Sequence, residues 1–549
     1  MHRALLIPEI LRLIIRHLHP TSDKGFENPS VGFAGMLVRP LSKKAARSLV
    51  RTSLACKLFL DHALDYLWWF MDDLTPLFRL LSAFKPARNR AKASLIKGVI
   101  PPNELQRFNS YACRIRGYHM KIQEPFHPLA ITRILRECDR PYLLPALQCL
   151  LVHEPANNLY SFIPPSLQYL SASGGSNDSS EELQRYLDLS SLPCIPPILR
   201  HLTITSNLTA HCFMAITQLT CLENLSLNQL PAPEGTILNV DLSLIFQMPS
   251  WNTLRELRLG EFIRFASPSS SWKGLDTLSF SALKILDITT GAPTIRVLNT
   301  LLRSIFLLRL EYLVIRVPPI RHHLDDAERK HWLQFFRVLP EITSRRLTTL
   351  KFISIEAHQE PIYWSSLNLS LQDIPDVGRL TSFEVAIPLI SCISTSCLKY
   401  LVSRWPELTS LKLGSVQLSD LDLHALSFIA QNLPHLRRLA IGLGSEAIID
   451  HLHFPDLEHG LVDLELTLLN TPPPEDLFLL LDELFPTLEL YTFQTSGSDF
   501  QEEWDDVEDS LHYLKKEREN EREDEAAFYE FIMSRGGLAR VHALAQLLY

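Results

Sequence analysis

Apolar residues recur along most of this chain in one short figure, L-x-x-L-x-L with conservative replacements. It opens at Leu147 (LQCLLV), Leu167 (LQYLSA), Leu199 (LRHLTI), Leu222 (LENLSL), Leu254 (LRELRL), Leu283 (LKILDI) and Leu310 (LEYLVI). It opens again at Leu347 (LTTLKF), Leu380 (LTSFEV), Leu408 (LTSLKL), Leu436 (LRRLAI), Leu461 (LVDLEL) and Phe485 (FPTLEL), with starts 20 to 37 residues apart. The end of each figure alternates with the period of a strand, and the remainder is long enough for a helix or an irregular return. A short parallel strand cannot bury its leucines alone. Stacking successive strands builds one continuous core, with helices such as AERKHWLQFFRVL over the convex side. The pattern therefore predicts an α/β solenoid with parallel strands on its concave face. In LDTLSFSALKILDI two matches fall eight residues apart, so one of them is expected to be false.

Strand alternation sends Leu286 and Ile288 inward and Asp287 to the opposite, concave face. Applied unit by unit, it puts Glu256, Arg258, Asp287, Arg316, Lys351, Lys412, Arg438, Asp463 and Glu465 on that face. These are the candidate target-binding residues, since repeat proteins commonly bind partners there. The alternative is that they are solvated strand positions.

Upstream of the repeats the period changes to that of helices. In IPEILRLIIRHL, Pro8 and Glu9 suit a first helical turn, and Ile10, Leu11, Ile14, Ile15 and Leu18 form one apolar stripe. After a loop punctuated by proline and glycine, KKAARSLVRTSLACKLFLDHALDYLWWFM is again helical. Its Leu49, Leu54, Leu58, Leu64, Leu67 and Trp68 are available for burial. Further on, LQRFNSYACRIRG places Phe108, Tyr111, Ala112 and Ile115 on one helical face, with Arg107, Arg114 and Arg116 at its edges. This is read as a helix joining the N-terminal module to the next domain, its arginines solvated or capping carbonyls.

The ordered set IPEILRLIIRHL, SLACKLF and DHALDYLWW resembles the F-box: a Pro-Glu helix start, a central Cys-basic-x-aromatic step and a closing Leu-Trp. The second half is similar in particular to F-box proteins of mushroom-forming fungi, as is the aromatic-basic segment around Tyr111. The family usually opens with Leu-Pro, whereas Ile7 precedes Pro8 here, and the first loop is long. The repeat region resembles irregular leucine-rich repeats, although the Asn or Cys that usually comes after the strand is mostly missing. The resemblance implies a substrate-receptor subunit of a cullin-based, SCF-type ubiquitin ligase. Its F-box would bind a Skp-type adaptor, and through it a cullin, while the repeats recruit a protein target. The motif carries over Ile7, Pro8, Glu9, Ile10, Ile14, Leu18, Cys56, Phe59, Leu67 and Trp68 as adaptor contacts or F-box core. The alternative is a repeat scaffold for protein interaction with no ligase role. The expected domains are 1–75 (F-box), 76–145 (helical linker and solenoid cap), 146–495 (irregular repeats) and 496–549 (acidic helical cap or tail).

Composition narrows the class. Apolar residues at 46% and charged ones at 21% describe a folded chain. The net charge of -8 is uneven: residues 499 to 530 carry 14 acids and 4 bases, and residues 79 to 116 carry nine bases against Glu104 alone. Without interleaved base-stacking aromatics, that basic stretch is read as a solvated helical face, and nucleic acid is not the expected partner. Nine cysteines without a CxxC pair indicate neither a disulfide framework nor a zinc knuckle, and suit reduced thiols in cytoplasm or nucleus. Glu9, Arg12 and Arg16 interrupt the N-terminal apolar stretch, so no signal peptide or membrane span is expected.

No catalytic motif emerges: G-x-S-x-G, H-E-x-x-H, Walker and G-x-G-x-x-G patterns are all missing from the sequence. SASGGSNDSSEE lacks the Lys-Ser/Thr ending of a phosphate loop. His322 and His323 near Asp325 and Asp326, and His451 with His453, lack converging ligands. No cofactor, metal or small-molecule substrate is expected, and the chain is expected to be non-catalytic.

Overall fold

The computed structural model describes residues 43–55, 57–85, 95–120, 128–153, 159–173, 198–205, 216, 218–228, 238–240, 249–260, 263–265, 278–279, 282–289, 305–306, 309–317, 326–342, 346–354, 379–386, 394–413, 421–444, 459–468, 480–481 and 484–495. Ile7, Pro8, Glu9, Ile10, Ile14, Leu18, Cys56, the histidines at 322, 323, 451 and 453, and the acidic tail lie outside these residues. Two compact units divide the chain: Met1–Pro318 with Glu341–Arg346, and Pro319–Pro340 with Leu347–Tyr549.

In the first unit, helices α1 (Lys43–Ala55) and α2 (Lys57–Leu67) pack on each other. They lead into strand β1 (Phe70–Met71), the one-turn helix α3 (Thr75–Phe78) and helix α4 (Pro102–Ala112). Helix α4 starts as its sequence directs. Pro102 has no N–H to orphan, and Glu104 in the first turn accepts from the Ser82 amide at 2.7 Å. Its apolar side is docked: Phe108 meets Phe78 edge-on at 5.8 Å, and Ala112 is buried.

The chain then enters the sheet earlier than the leucine figure announces. Helix α4 ends at Ala112 with Cys113 as its cap, so Ile115 does not continue the helical face. Ile115 instead opens IRGYHM, in which Ile115, Tyr118 and Met120 fill the three leucine places and are all buried. Strand β2 (Gly117–Met120) pairs parallel with β1 on one side and with β3 (Cys149–Val152) on the other, and helix α5 (Pro128–Glu137) connects β2 to β3. The order continues through β4 (Tyr169–Ser173), β5 (His201–Thr205), β6 (Asn224–Asn228), β7 (Glu256–Leu259), β8 (Ile285–Thr289) and β9 (Tyr312–Val317), always parallel. Of the overlapping pair of figures, the second forms β8, while Leu278–Ser279 pairs separately with Ile305–Phe306.

Burial obeys the alternation. Leu257, Leu259, Leu286 and Ile288 lie in the core, each worth about 1.5–3 kcal/mol if wholly removed from water. Hydroxyl groups stitch neighbouring repeats together. The residue just before a figure donates to the first leucine carbonyl of the preceding one: Ser166 to Leu147 at 2.8 Å and Thr253 to Leu222 at 2.9 Å.

A side chain at Gly117 would collide with the ring of Phe70, which the parallel register sets directly opposite. Phe70 is itself buried and cannot swing into solvent. Gly117→Ala is expected to cost about 1–3 kcal/mol, the range for overpacking. In a double-mutant cycle by urea unfolding, Phe70→Leu should recover part of that loss; strict additivity would exclude the clash as its cause.

The second unit repeats the plan through β10 (Thr349–Ser354), β11 (Ser382–Ala386), β12 (Ser410–Leu413), β13 (Arg438–Leu443), β14 (Asp463–Leu468) and β15 (Leu490–Thr495), again parallel in chain order. Return helices are α6 (Asp326–Ile342), α7 (Thr395–Arg404), capped by the Ser394 hydroxyl at the Cys397 amide, and α8 (His424–Asn432). From α6, Trp332, Phe335 and Phe336 close around Phe352 of β10 at centroid distances of 6.1, 6.2 and 5.4 Å.

The last figure differs from the sequence reading by three residues. Strand β15 aligns Leu490 with Asp463, Tyr491 with Leu464 and Phe493 with Leu466, so the figure is LELYTF and not FPTLEL. Pro486 explains the shift, because it has no N–H for a ladder, and Phe485 is buried before the strand begins. Thr487 then stands just before the true figure and donates to the Leu461 carbonyl at 2.9 Å, the same stitch as Ser166 and Thr253.

Candidate interaction surfaces

Three surfaces of the two units carry the sequence candidates. The first is the α1–α2 pair. Leu49 and Ala63 are buried, but Leu54 is 80% exposed, and Val50, Leu58 and Leu60 are exposed with it. The expectation that Leu54 and Leu58 serve the core is thus corrected. In α1, Leu54 stands five residues, about 140° of helical turn, from the buried Leu49, and Leu58 lies in the first turn of α2. Phe59, Leu67 and Trp68 are half-buried. Trp68 lies on Tyr111 at 4.7 Å between ring centroids.

Arg114 ties helix α2 to the entry of the sheet. Its guanidinium donates to the Asp61 carboxylate at 3.0 Å, to the Asp61 carbonyl at 3.0 Å and to Asp65. Arg116 is a strand-entry residue: its amide donates to the Trp69 carbonyl at 2.9 Å, and its own carbonyl accepts from the Cys149 amide at 2.9 Å. Its guanidinium donates to the Ala146 carbonyl at 3.1 Å. Both arginine side chains thus serve other elements and not the carbonyl end of α4.

The second surface is the open face of the first sheet, formed by the residues that alternate with the leucines. Glu256 and Arg258 pair along one strand, and Asn224 donates to Glu256 from the next. Asp287 is only 8% exposed, because Arg316 lies over it with Nε and Nη2 on its two carboxylate oxygens at 2.9 and 3.0 Å. The expectation that Asp287 is displayed to solvent is corrected by that bidentate contact. Toward the first strands the face is less charged. The rings of Tyr169 and His201 lie 5.8 Å apart, and those of His119 and His153 4.7 Å apart. Burial raises the Tyr169 hydroxyl, helped by neighbouring Cys149, and burial lowers His201 against the opposing pull of Glu223.

The third surface is the open face of the second sheet. Lys351 pairs with Glu384 at 2.8 Å on the adjacent strand, and Arg438 with Asp463 at 3.8 Å. Lys412 reaches Glu465 at 2.8 Å although β13 runs between them. The intervening position in register is Ala440, whose methyl leaves room for the lysine to pass over it. Burial pulls the Lys412 ammonium down, but Glu465, with Glu384 and Asp463 behind it, outweighs that and raises it. Glu384 is not among the sequence candidates, yet its place between Phe383 and Val385 is the same outward position as Lys351.

All nine sequence-predicted face residues therefore have an ion-pair partner. Of these, only Arg438 with Asp463 is an exposed pair, worth about 0–1 kcal/mol, while Asp287 and Glu256 are largely covered by their partners. Among the described residues no group of three His, Cys, Asp or Glu is placed to hold a metal, and no helix is long and apolar enough to cross a membrane.

No protein-family model matches the chain, and no curated protein does. Among solved structures it is similar to the leucine-rich repeat-containing protein LegL7 from Legionella pneumophila, at 15% identity and a TM-score of 0.26, over 67% of this chain and 89% of that one. The repeat architecture itself rests on the parallel strand register and the buried leucines of this chain.

Proposed function

We propose that this chain is a non-catalytic recognition subunit that binds a protein target on the open face of its repeats and a Skp-type adaptor through its N-terminal helices. Through that adaptor it joins an SCF-type, cullin-based ubiquitin ligase. Its contribution to ubiquitin transfer is proximity: tethering raises the effective concentration of a target lysine without the receptor touching the reaction. The observation that supports this reading is the exposure of four large apolar side chains on α1 and α2, Val50, Leu54, Leu58 and Leu60. Exposed apolar surface of this kind is a feature of interaction sites.

The test is co-purification of the full chain with a Skp-type adaptor. Leu54→Asp with Leu58→Asp alters residues that already face water, so circular dichroism and the unfolding midpoint are expected to stay unchanged. Adaptor capture is expected to fall at least tenfold. Failure of the intact, folded chain to capture the adaptor would remove the ligase role.

A second reading keeps the helices as a cap of the first sheet and nothing more. It is favoured by the Trp68–Tyr111 contact and the Arg114 bridge, both of which tie α2 to the sheet entry. Under it, Leu54→Asp with Leu58→Asp changes no binding partner.

A further inference from the structure

A row of charges runs along the edge of the first sheet where the strands begin, away from its open face. It is made by the residue after the first leucine of each figure: Arg200, Glu223, Arg255, Lys284 and Glu311. Backbone bonds hold these residues side by side, each amide donating to the preceding carbonyl at 2.7 to 2.9 Å. Arg309 stands just ahead of Glu311. The row borders a cavity of 610 Å³ whose lining includes Arg200, Glu223, Arg255, Lys284, Arg309 and the exposed Cys221.

Charge along this edge does not balance, and Glu223 is the one carboxylate among the residues lining the cavity. Glu223 is shared by Arg200 at 3.2 Å and Arg255 at 3.6 Å, while Glu311 takes Lys284 at 2.8 Å. Four cations thus meet two carboxylates, and Arg309 has no ion partner among the described residues. Arg255 and Lys284 are also neighbours in the row, a like-charge juxtaposition that is destabilising unless an anion lies between them.

We propose that this edge cavity binds a peptide segment bearing clustered carboxylates. The two glutamates that the chain itself supplies display the chemistry the row accepts, one carboxylate set against neighbouring cations. Arg255 and Lys284 stand on adjacent strands, about 4.8 Å apart, and Arg200 stands one strand beyond Glu223, so the cations do not converge on one point. That spacing suits several single charges along an extended peptide. Ile198 and Ala282 in the lining give an aliphatic side chain a place beside them. The inference rests on the reading of this chain as a protein-binding repeat protein, and it assigns a second contact beyond the open face.

The experiment uses the full chain and reads the alkylation rate of Cys221 by peptide mapping, since that thiol borders the cavity and faces solvent. The probes are an eight-residue peptide with glutamate at alternate positions, its glutamine and phosphoserine counterparts, and a single-stranded oligonucleotide of equal charge. The glutamate peptide is expected to slow Cys221 alkylation at least tenfold while leaving Cys113 unchanged, and the glutamine peptide to have no effect. Arg255→Glu with Lys284→Glu should weaken peptide binding at least tenfold. Arg309→Glu, which breaks no internal pair among the described residues, should weaken it severalfold in a chain whose unfolding midpoint is unchanged.

Protection by the glutamine peptide, or none by the glutamate peptide at millimolar concentration, would overturn the site. Tighter binding of the oligonucleotide through the same residues would replace a peptide by nucleic acid as the ligand. A phosphoserine peptide bound more than tenfold tighter than the glutamate one would replace the carboxylate by a phosphate. Adaptor capture through the N-terminal helices is measured separately, so loss of the ligase reading and loss of this site are distinguishable.

Discussion

Phe352→Ala is expected to destabilise the second unit by about 3–5 kcal/mol, the range for removing a buried aromatic ring. Phe352 is fully buried and stands where the inward side of β10 meets the helix that covers it. Three rings from α6 converge on it, and Phe335 and Phe336 are as deeply buried. Neither rotamer change nor helix shift refills the space easily, because Trp332 is already packed against both neighbours at 6.0 and 6.1 Å. Leu at this position would keep more of the contact and should cost less than half as much. The measurement is urea unfolding monitored by tryptophan fluorescence, with the Trp405 contribution taken as the difference between chains with and without Trp405→Phe, because the chain has eight tryptophans. Trp405 lies 4.9 Å from Phe383 on the next strand, so its signal tests whether the loss spreads to the adjacent repeat. A repeat protein transmits such a loss through nearest-neighbour interfaces, and an unchanged Trp405 midpoint would contradict that coupling.

The same cluster shows what is legible in the sequence. AERKHWLQFFRVL reads as a helix with one apolar side, and the L-x-L alternation of LTTLKF puts Phe352 inward, so both halves of this contact come from periodicity. So do the strands from Cys149 to Asp463, whose starts match the figure. The register fails at both ends, where bulky aromatics replace leucine. IRGYHM and LELYTF carry Tyr118 and Tyr491 in the leucine place, and a pattern keyed to leucine assigns IRG to the tail of a helix and FPTLEL to a repeat. The hydroxyl before the figure is an available signal: Ser166, Thr253 and Thr487 mark true starts.

Of the candidate surface, alternation identifies the face of each charged residue and nothing of its partner. Ion pairs depend on which strands lie side by side, and unequal spacing between figures hides that. Asp287 and Arg316 are far apart in sequence and bidentate in the fold, and Lys412 finds Glu465 across an alanine that only the register identifies. The exposed Leu54 is illegible for a related reason. A helix with leucines on two sides does not say which side its neighbour will take.

Cys149 carries the largest expected dependence on pH. It occupies an outward-row position of β3, in register with Gly117 and Tyr169, yet it is wholly buried, and burial pushes its thiol from 9.0 up to about 12. A raised acid contributes stability that is fully present below the unfolded value and lost as pH rises through the folded one. Between pH 9 and 12 the unfolded chain gives up the Cys149 proton while the folded chain keeps it. Stability from this source should fall by about 1.36 kcal/mol per pH unit, to a total of about 4 kcal/mol. Tyr169, raised by burial and by Cys149 itself, moves in the same direction over the upper part of that window. The raised Lys412 also loses its contribution only above its ordinary value of 10.5. These contributions overlap in the intact chain, so the measurement is a difference. Chemical unfolding from pH 8 to 11 is compared between the unmutated chain and Cys149→Ala, which is slightly less stable at pH 8 for its lost sulfur contacts. The gap should narrow as pH rises and then change sign, because the variant has no thiol to ionise in its unfolded state. A gap that stays constant across pH 9 would mean that the thiol ionises in the folded chain as readily as in the unfolded one. The burial of β3 beneath its neighbours would then have to be released at alkaline pH, and the first sheet would open from that strand.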